Sequence, residues 1–237
     1  MRIIFSHRFG CHTRSELILS YPELVDVRPE EHSQALEQGW LLSAENPGCK
    51  PFWYQSRSTR INLTTINYSF NHEFQLLDKN HSVEELEKIY TLYCNHKHYN
   101  RHFEFKEFLD IDFLIGYYHN DNLTAWTKFR QYDRRNIESV MFAWDYRDPS
   151  SHLGINSLRA EIAWAKQHNY KYLYMGSGYE KNSIYKSDMN GFEWWTGSAW
   201  SQDREEYVRL CKRDSVISSC HQIHVVFSNL QHCRNSP

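Results

Sequence analysis

The stretch HLGINSLRAEIAWAKQHNYKYLYMG, residues 152–176, decides the fold that we predict for this chain. Its first part carries apolar residues at helical spacing, among them Leu158 and Ile162, which predicts an amphipathic helix over 153–168. Its second part alternates tyrosines with other residues and ends at a glycine, which is typical of a strand over 170–175. A helix that begins beside a sheet also exposes unpaired backbone N–H groups to any anionic or carbonyl-bearing ligand.

Three strand-like runs precede this stretch, and their sequences are FLIGYYH, LTAWTKFRQYD and SVMFAWDY. Turn-forming residues separate them at 120–122 and 134–136. The order β–β–β–α–β predicts an α+β fold in which the helix crosses back to a parallel neighbour of the third strand. We therefore expect a mixed, mostly antiparallel sheet with helices, together with a smaller N-terminal α+β region.

The predicted domain organisation follows from the remaining elements. Residues 1–80 form the N-terminal α+β region, with a short helix that ends at Gly39 and paired strands after it. Residues 81–214 form the main domain, which a capping box at Ser82 opens with a helix. Residues 215–237 are a C-terminal extension, for which an added edge strand is the plain expectation.

Composition excludes several classes of protein. The 237 residues have a formal net charge of −2, so a nucleic acid would have to bind a local basic patch. The six cysteines form no CxxC pair, and His98 and His102 have no evident third ligand, so we predict no metal site. No apolar run reaches the roughly 20 residues of a membrane helix, and the opening lacks the apolar core of a signal peptide. We expect a cytoplasmic protein with no membrane partner.

The predicted order of elements resembles the core of the Gcn5-related N-acyltransferase (GNAT) fold. That family binds acyl-CoA through a turn of the form Q/R-x-x-G-x-G/A before the central helix. Here the turn is SHLGIN, residues 151–156, so that Gly154 matches one glycine and Asn156 replaces the other. The resemblance implies an acyltransferase and keeps acyl-CoA as one candidate donor.

The arginyl-tRNA–protein transferase family gives a closer resemblance. Its pattern S-L-G-T-Y/F-x-x-L-x-x-I-x-x-A, then L-x-Y-x-Y-L-G-Y, then M-x-Y-K, is similar to HLGINSLRAEIAWA, YKYLYMGSGY and SIYKSDM here. Glu193 and Trp200 stand near the family's Glu and Trp, and Arg60 stands on the arginine of an upstream family strand. The family's cysteine motifs are not matched, and YSFNHEFQ replaces its basic run. The chain therefore resembles a divergent member, without the family's metal or iron–sulfur site.

This resemblance implies transfer of an aminoacyl group from an aminoacyl-tRNA to the amino group of a peptide, a protein N-terminus or a small molecule. Such a reaction requires a positioned amine and a stabilised oxyanion, and no cofactor. The expected catalytic residues are Lys186, Tyr185 and Glu161. The expected substrate-binding residues are Arg57, Arg60, His152, Gly154, Asn156, Tyr174, Tyr179, Trp194 and Trp200.

Two other functions stay open at this point. An acyl-CoA-dependent N-acyltransferase would need only the GNAT-like fold. An adaptor that has lost the activity of the transferase fold would fit the altered N-terminal motifs. Each expected site residue also has an ordinary structural interpretation, because tryptophans commonly pack in cores and glutamates commonly lie on helix surfaces.

Overall fold

The computed structural model of the chain describes residues 2–12, 15–43, 52–55, 57–67, 74–77, 82–97, 113–147, 152–178 and 181–215. For residues 2–25 and 74–77 the description covers the backbone. The predictions for Tyr179, for the histidine pair at 98 and 102, and for the extension beyond residue 215 lie outside these ranges.

Twelve strands and four α-helices are described. The strands are β1 (Arg2–His12), β2 (Ser15–Val25), β3 (Trp40–Leu42), β4 (Trp53–Gln55), β5 (Ser58–Asn62), β6 (Phe74–Leu77), β7 (Phe113–His119), β8 (Asn122–Gln131), β9 (Asn136–Trp144), β10 (Tyr172–Ser177), β11 (Phe192–Trp195) and β12 (Trp200–Ser201). The helices are α1 (His32–Glu37), α2 (Val83–Lys97), α3 (Leu153–Gln167) and α4 (Arg204–Asp214). A 3-10 helix, Lys181–Asp188, lies between β10 and β11.

The strands form two sheets. The larger has eight strands in the order β12-β11-β5-β10-β9-β8-β7-β6, and the smaller has the order β1-β2-β4-β3. Within the larger sheet every described pair is antiparallel except β9 with β10, which α3 connects. The α+β class, the mostly antiparallel sheet and the crossover helix predicted from the sequence are confirmed.

The parallel pair β9–β10 is short. Its partners run only from Tyr172 opposite Asn136 to Tyr174 opposite Glu138. Beyond that point β9 continues to Trp144, whereas β10 bends and next pairs Ser177 with Ser58 of β5. The two strands therefore diverge, and the divergence leaves an opening in the middle of the sheet.

The two faces of the larger sheet carry different layers. On one face α3 packs Leu158, Ile162 and Ala165 against Phe129, Leu173 and further apolar residues in one cluster. On the other face, the small sheet and α1 pack against Tyr172 and Tyr174, neighbours of Leu173 that point the opposite way. The opening between β9 and β10 thus lies beside α3.

The boundary between two domains at residue 80 stays a prediction. Two strands that come before this residue, β5 and β6, belong to the larger sheet. No helix in the described ranges is long and apolar enough to cross a membrane. Within the same ranges, no group of three His, Cys, Asp or Glu side chains is arranged to hold a metal ion.

Candidate active site

A cleft of about 670 Å³ occupies the opening between β9 and β10. Its walls come from the end of α2, β9 from Ser139 onward, the first three turns of α3, the end of β10 and the 3-10 helix. The residues that line it are Tyr93, Lys97, Ser139, Val140, Met141, Phe142, Trp144, Gly154, Ile155, Ser157, Leu158, Glu161, Met175, Ser177, Asn182, Ser183, Tyr185 and Lys186.

A β-bulge in β9 shapes one wall of this cleft. Phe129 of β8 pairs with Ser139, and Lys128 pairs with Met141, so that Val140 is an extra residue without a ladder partner. Such bulges redirect backbone groups and side chains and are common beside active sites. Here the bulge leaves Val140, which lines the cleft, outside the β8–β9 ladder.

Glu161 is buried where α3 crosses the sheet, with 2% of its surface exposed. It lies on the sheet-facing side of α3 together with Leu158 and Ile162. Packing of this side against the sheet therefore buries the glutamate with its apolar neighbours. The Thr127 hydroxyl donates to Glu161 Oε1 over 2.8 Å. Burial raises the pKa of the Glu161 carboxyl to about 7, although hydrogen bonds from Thr127 and Ser139 act in the opposite direction.

Lys186 lies where β9 and β10 separate. Its Nζ donates to the carbonyl oxygens of Met175, over 2.6 Å, and Ser177, over 3.0 Å. These two carbonyls belong to the part of β10 that no longer pairs with β9, so the lysine replaces the missing strand partner. Two of the three donors of an ammonium group are thereby used.

Burial also perturbs Lys186. It lowers the pKa of this ammonium to about 8, against the opposing effect of the Cys211, Glu138 and Glu161 side chains. Glu138 is itself buried, and burial raises the pKa of its carboxyl. A carboxyl and an amine that both titrate near neutral pH therefore line or adjoin one cleft, and such perturbed pairs are typical of acid–base sites.

Aromatic rings form the wall nearest the start of α3. Phe142 and Trp144 of β9 stack with centroids 4.9 Å apart, and Tyr93 of α2 lies 5.0 Å from Trp144. Tyr185 reaches the cleft from the 3-10 helix with 41% of its surface exposed. Gly154 faces the indole of Trp144, because a Cβ at this glycine would lie 3.3 Å from the ring. We call Tyr93, Phe142 and Trp144 the aromatic wall.

The N-terminus of α3 also adjoins the cleft. His152 is the N-cap residue, has φ of +49° and forms no side-chain cap. The N–H groups of Ile155 and Asn156 bond back to the His152 carbonyl, whereas Gly154 and Ile155 line the cleft. The positive end of the helix dipole thus lies at the same end of the cleft as the aromatic wall.

The structure brings together four of the residues expected from the sequence, because Glu161, Tyr185, Lys186 and Gly154 all line the cleft. His152 and Asn156 lie in the first turn of α3 beside them, where the Asn156 side chain accepts a hydrogen bond from Arg159 over 3.4 Å.

Three other expected residues lie on the opposite face of the sheet. Arg60, with 4% of its surface exposed, is sandwiched between the rings of Tyr172 and Trp200, at 3.8 and 3.9 Å from their centroids. Its Nε donates to Glu193 over 2.7 Å. Tyr174 is buried in the same cluster. This cluster joins the two sheets, and the substrate-binding roles of Arg60, Tyr174 and Trp200 stay predictions without support from their position.

Arg57 and Trp194 line a second groove rather than the cleft. Arg57 forms an ion pair with Asp214 over 2.7 Å and donates to the carbonyl of Gly178. Trp194 is buried against Tyr207, and its indole N–H donates to the carbonyl of Asp203. Both side chains thus hold α4 and its neighbours in place, and their substrate-binding roles also stay predictions.

Sequence reasoning missed Thr127, Ser139, Val140 and the aromatic wall. The alternation of Phe142 and Trp144 along one strand was a usable signal for the wall, because residues two apart share a face of a sheet. The bulge at Val140 has no signature in the sequence, since neither glycine nor proline marks it.

No protein-family model matches the sequence, and no curated protein matches it. Similar folds occur among solved structures. One is the C-terminal domain of a protein described as a lysylphosphatidylglycerol synthetase from Agrobacterium fabrum, with 10% identity, a TM-score of 0.42 and coverage of 66% of this chain and 54% of that one. L-PGS from Bacillus licheniformis has 12% identity, a TM-score of 0.43 and coverage of 62% and 49%.

A third similar structure is an acetyltransferase assigned to the GNAT family from Novosphingobium aromaticivorans. Its identity is 17%, its TM-score is 0.42, and the match covers 68% of this chain and 74% of that one. The chain spans about half the length of the first two structures. At these identities the likeness concerns the fold alone.

Proposed function

We propose that this chain is an acyltransferase that forms an amide bond, and that its donor is an aminoacyl-tRNA. The acceptor is the amino group of a peptide, a protein N-terminus or a small molecule. The observation that carries this proposal is the burial of Glu161 in the cleft that Lys186 also lines, each with a pKa near neutrality.

Glu161 has the properties of a base for an attacking amine. An α-ammonium group has an ordinary pKa of about 8, so a carboxylate with a pKa of about 7 can accept its proton at little cost. The neutral amine then attacks the ester carbonyl, and a C–N bond forms. Collapse of the tetrahedral intermediate breaks the ester C–O bond, and the ribose oxygen leaves as a hydroxyl with the proton that the attacking nitrogen loses as it becomes an amide.

Lys186 and the bulge supply donors for the developing oxyanion. The ammonium of Lys186 has one N–H beyond the two that bond Met175 and Ser177. The backbone N–H of Val140, which lies outside the β8–β9 ladder, is a second candidate donor. Donors fixed before the reaction stabilise the transition state without reorganisation.

Two considerations favour an aminoacyl-tRNA over acyl-CoA. The sequence resembles the arginyl-tRNA–protein transferases along the elements that form the cleft, from α3 through β10 to Tyr185 and Lys186. Gly154, the one residue that matches the acyl-CoA turn, already has a structural reason to be glycine, because Trp144 packs against it.

The test is a transfer assay. The protein is incubated with a mixture of radiolabelled aminoacyl-tRNAs and an amine acceptor pool of peptides with different N-terminal residues. We expect label to move from RNase-sensitive to RNase-resistant material, and Glu161→Gln to abolish most of this movement. Loss of label by simple hydrolysis, with none in an amide product, would contradict the proposal.

The second candidate is acyl-CoA-dependent N-acylation. The N-terminus of α3, which has no side-chain cap and adjoins the cleft, would serve as the anion site for that donor. Acetyl-CoA in place of the aminoacyl-tRNA distinguishes the two. Thermal stabilisation by acetyl-CoA together with acetylation of the acceptor pool, and no transfer from tRNA, would replace the first candidate by the second.

A further inference from the structure

We infer that the acceptor is an extended peptide that pairs with β9 as an added strand inside the cleft. The inference rests on the proposed function and narrows its acceptor, because a small amine would have no use for such a strand edge. Two features select the peptide: unpaired backbone groups of β9 at the cleft, and the position of Glu161 relative to them.

The last residues of β9 direct every second set of backbone groups into the cleft. The Asp145 N–H donates to the carbonyl of Thr124, next to β8, over 2.8 Å. Because backbone groups alternate in direction along a strand, the N–H and C=O groups of Phe142 and Trp144 point away from β8. On that side β10 pairs with β9 only as far as Glu138, so no strand lies opposite them.

We call these two N–H and two C=O groups the free edge of β9. In the described ranges, no hydrogen bond joins the backbone of Phe142 or Trp144 to a side chain or to another segment on this side. Both residues line the cleft and are only partly buried. Backbone groups inside a protein are nearly always paired. A ligand that supplies the missing partners therefore gains hydrogen bonds here.

The opposite wall of the cleft offers no equivalent edge. The carbonyls of Met175 and Ser177 on β10 already accept hydrogen bonds from Lys186. An added strand would thus pair with β9 on one side only. Addition of a peptide to one exposed strand edge is a common mode of recognition, in which main-chain hydrogen bonds supply the affinity.

Glu161 determines the direction of the peptide. Its carboxyl is hydrogen bonded by Ser139, which comes three residues before Phe142 on β9. Three residues of strand span roughly 10 Å, so an acceptor amine at Glu161 lies a few residues from the free edge. The peptide then runs parallel to β9 toward Trp144. In this arrangement two peptide N–H groups, two residues apart, donate to the carbonyls of Phe142 and Trp144.

The test measures binding in the absence of a donor. Calorimetry on the full chain uses a hexapeptide amide of alanine and serine, its five singly N-methylated forms at residues 2 to 6, and glycine amide. We expect methylation at two positions, two residues apart, to weaken binding about three- to tenfold each, the effect of one lost hydrogen bond. Methylation of the residue between them should have a smaller effect. Glycine amide should bind at least tenfold more weakly than the hexapeptide.

Phe142→Pro tests the same edge from the side of the protein. Proline removes the N–H that faces the cleft and leaves the N–H groups of the β8–β9 ladder in place. Phe142→Ala is the matched control, because it removes the ring and keeps this N–H. We expect Phe142→Pro to bind the hexapeptide about three- to tenfold more weakly than Phe142→Ala, and both to bind glycine amide equally. If Phe142→Pro does not unfold cooperatively, the N-methyl series on the wild type decides.

Equal effects of methylation at neighbouring positions would overturn the inference, as would a hexapeptide that binds no more tightly than glycine amide. Coenzyme A that binds in place of any peptide, and more weakly to Phe142→Pro than to Phe142→Ala, would assign the free edge to a donor instead. These results leave the proposed function in place if label moves from aminoacyl-tRNA to a small amine. Conversely, peptide binding with the alternating pattern, but without any amide product, would retain the peptide site and remove the proposed reaction.

Discussion

Glu161 is a buried ionisable residue that also lines the cleft. A helix stripe that faces a sheet is normally apolar, yet this carboxyl is placed there with Thr127 and Ser139 as hydrogen-bond donors. Burial of an ionisable group is costly unless the protein uses it or pairs it. Its position at the cleft is why we assign it the role of base.

We expect Glu161→Gln to lower the turnover of aminoacyl transfer by about 10²- to 10⁴-fold, the usual contribution of a general base. In the wild type, activity should rise with pH through about 7, as Glu161 ionises, and fall through about 8, as Lys186 loses its proton. The rising limb should disappear in the variant. Rates measured from pH 5.5 to 9.5 check this, and Glu205→Gln on the exposed side of α4 is the control.

Lys186 is expected to have both a catalytic and a structural role. Lys186→Met leaves the carbonyls of Met175 and Ser177 without their donor, so the free energy of unfolding should fall by about 1–3 kcal/mol and transfer should be lost. Lys181→Met, at the exposed start of the same 3-10 helix, should change neither. Urea unfolding and the transfer assay measure the two effects. Full activity in Lys186→Met would remove this residue from the site.

At the scale of single elements, the end of α1 is fixed by one glycine. The sequence predicts that this helix stops at Gly39, and the structure confirms it, with φ of +76° at Gly39 directly after the C-cap residue Gln38. A side chain there would also overlap the indole of Trp195. The glycine therefore serves both the backbone conformation and the contact between α1 and β11.

Gly39→Ala should reduce the free energy of unfolding by roughly 2–4 kcal/mol, because left-handed strain and a steric overlap add. Gly176→Ala isolates the first effect, since Gly176 has φ of +70° and a Cβ added there would meet no atom within 4 Å. It should cost only about 1–2 kcal/mol. Equal losses in the two variants, measured by urea unfolding, would show that Trp195 moves aside without cost.

At the scale of the whole molecule, a buried polar network joins the small sheet to the large one. Arg130 donates to the carbonyls of Leu42 and Ser43. The Tyr132 hydroxyl accepts from the Leu42 N–H and donates to Glu138. Because Glu138 also acts on the charge of Lys186, the network that holds the sheets together adjoins the cleft.

Tyr132→Phe should lower the free energy of unfolding by about 1–3 kcal/mol, because it leaves the Leu42 N–H without its acceptor and removes one of the two hydrogen bonds to Glu138 Oε2, which keeps only its contact with Arg130. Tyr172→Phe, at a ring that packs on Arg60 from the same face, should have a smaller effect. Denaturant midpoints of both variants give the comparison. A loss no larger for Tyr132→Phe than for Tyr172→Phe would mean that the network does not stabilise the fold.

The raised pKa of Glu161 also predicts how stability varies with pH. The unfolded chain releases this proton near the ordinary value of 4.5, and the folded chain retains it up to about 7. The contribution of Glu161 is therefore fully present below pH 4.5 and is lost as pH rises through 7. Relative to Glu161→Gln, the wild type should lose up to about 3 kcal/mol across this window. Urea unfolding of both proteins at pH 4.5, 6 and 8 measures the difference, and a constant difference would contradict it.

The sequence by itself determined the local structure of this protein. Apolar spacing determined α3, strand alternation determined β7 to β10, and Gly39 determined the end of α1, because these signals act between residues close in the chain. It also predicted that Glu161 and Lys186 lie near each other, which the structure shows, since α3, β10 and the 3-10 helix follow one another and meet at one end of the sheet; their catalytic roles stay predictions.

Only the tertiary structure decided which polar and aromatic side chains share the cleft. Arg60 and Tyr174 are residue types that often bind substrates. Because alternate residues of a strand face opposite sides of a sheet, however, both side chains point away from the cleft and toward the small sheet. The divergence of β9 from β10 and the bulge at Val140 depend on strand partners distant in sequence. Burial of Glu161, and with it a pKa near 7, likewise exists only once α3 has packed on the sheet.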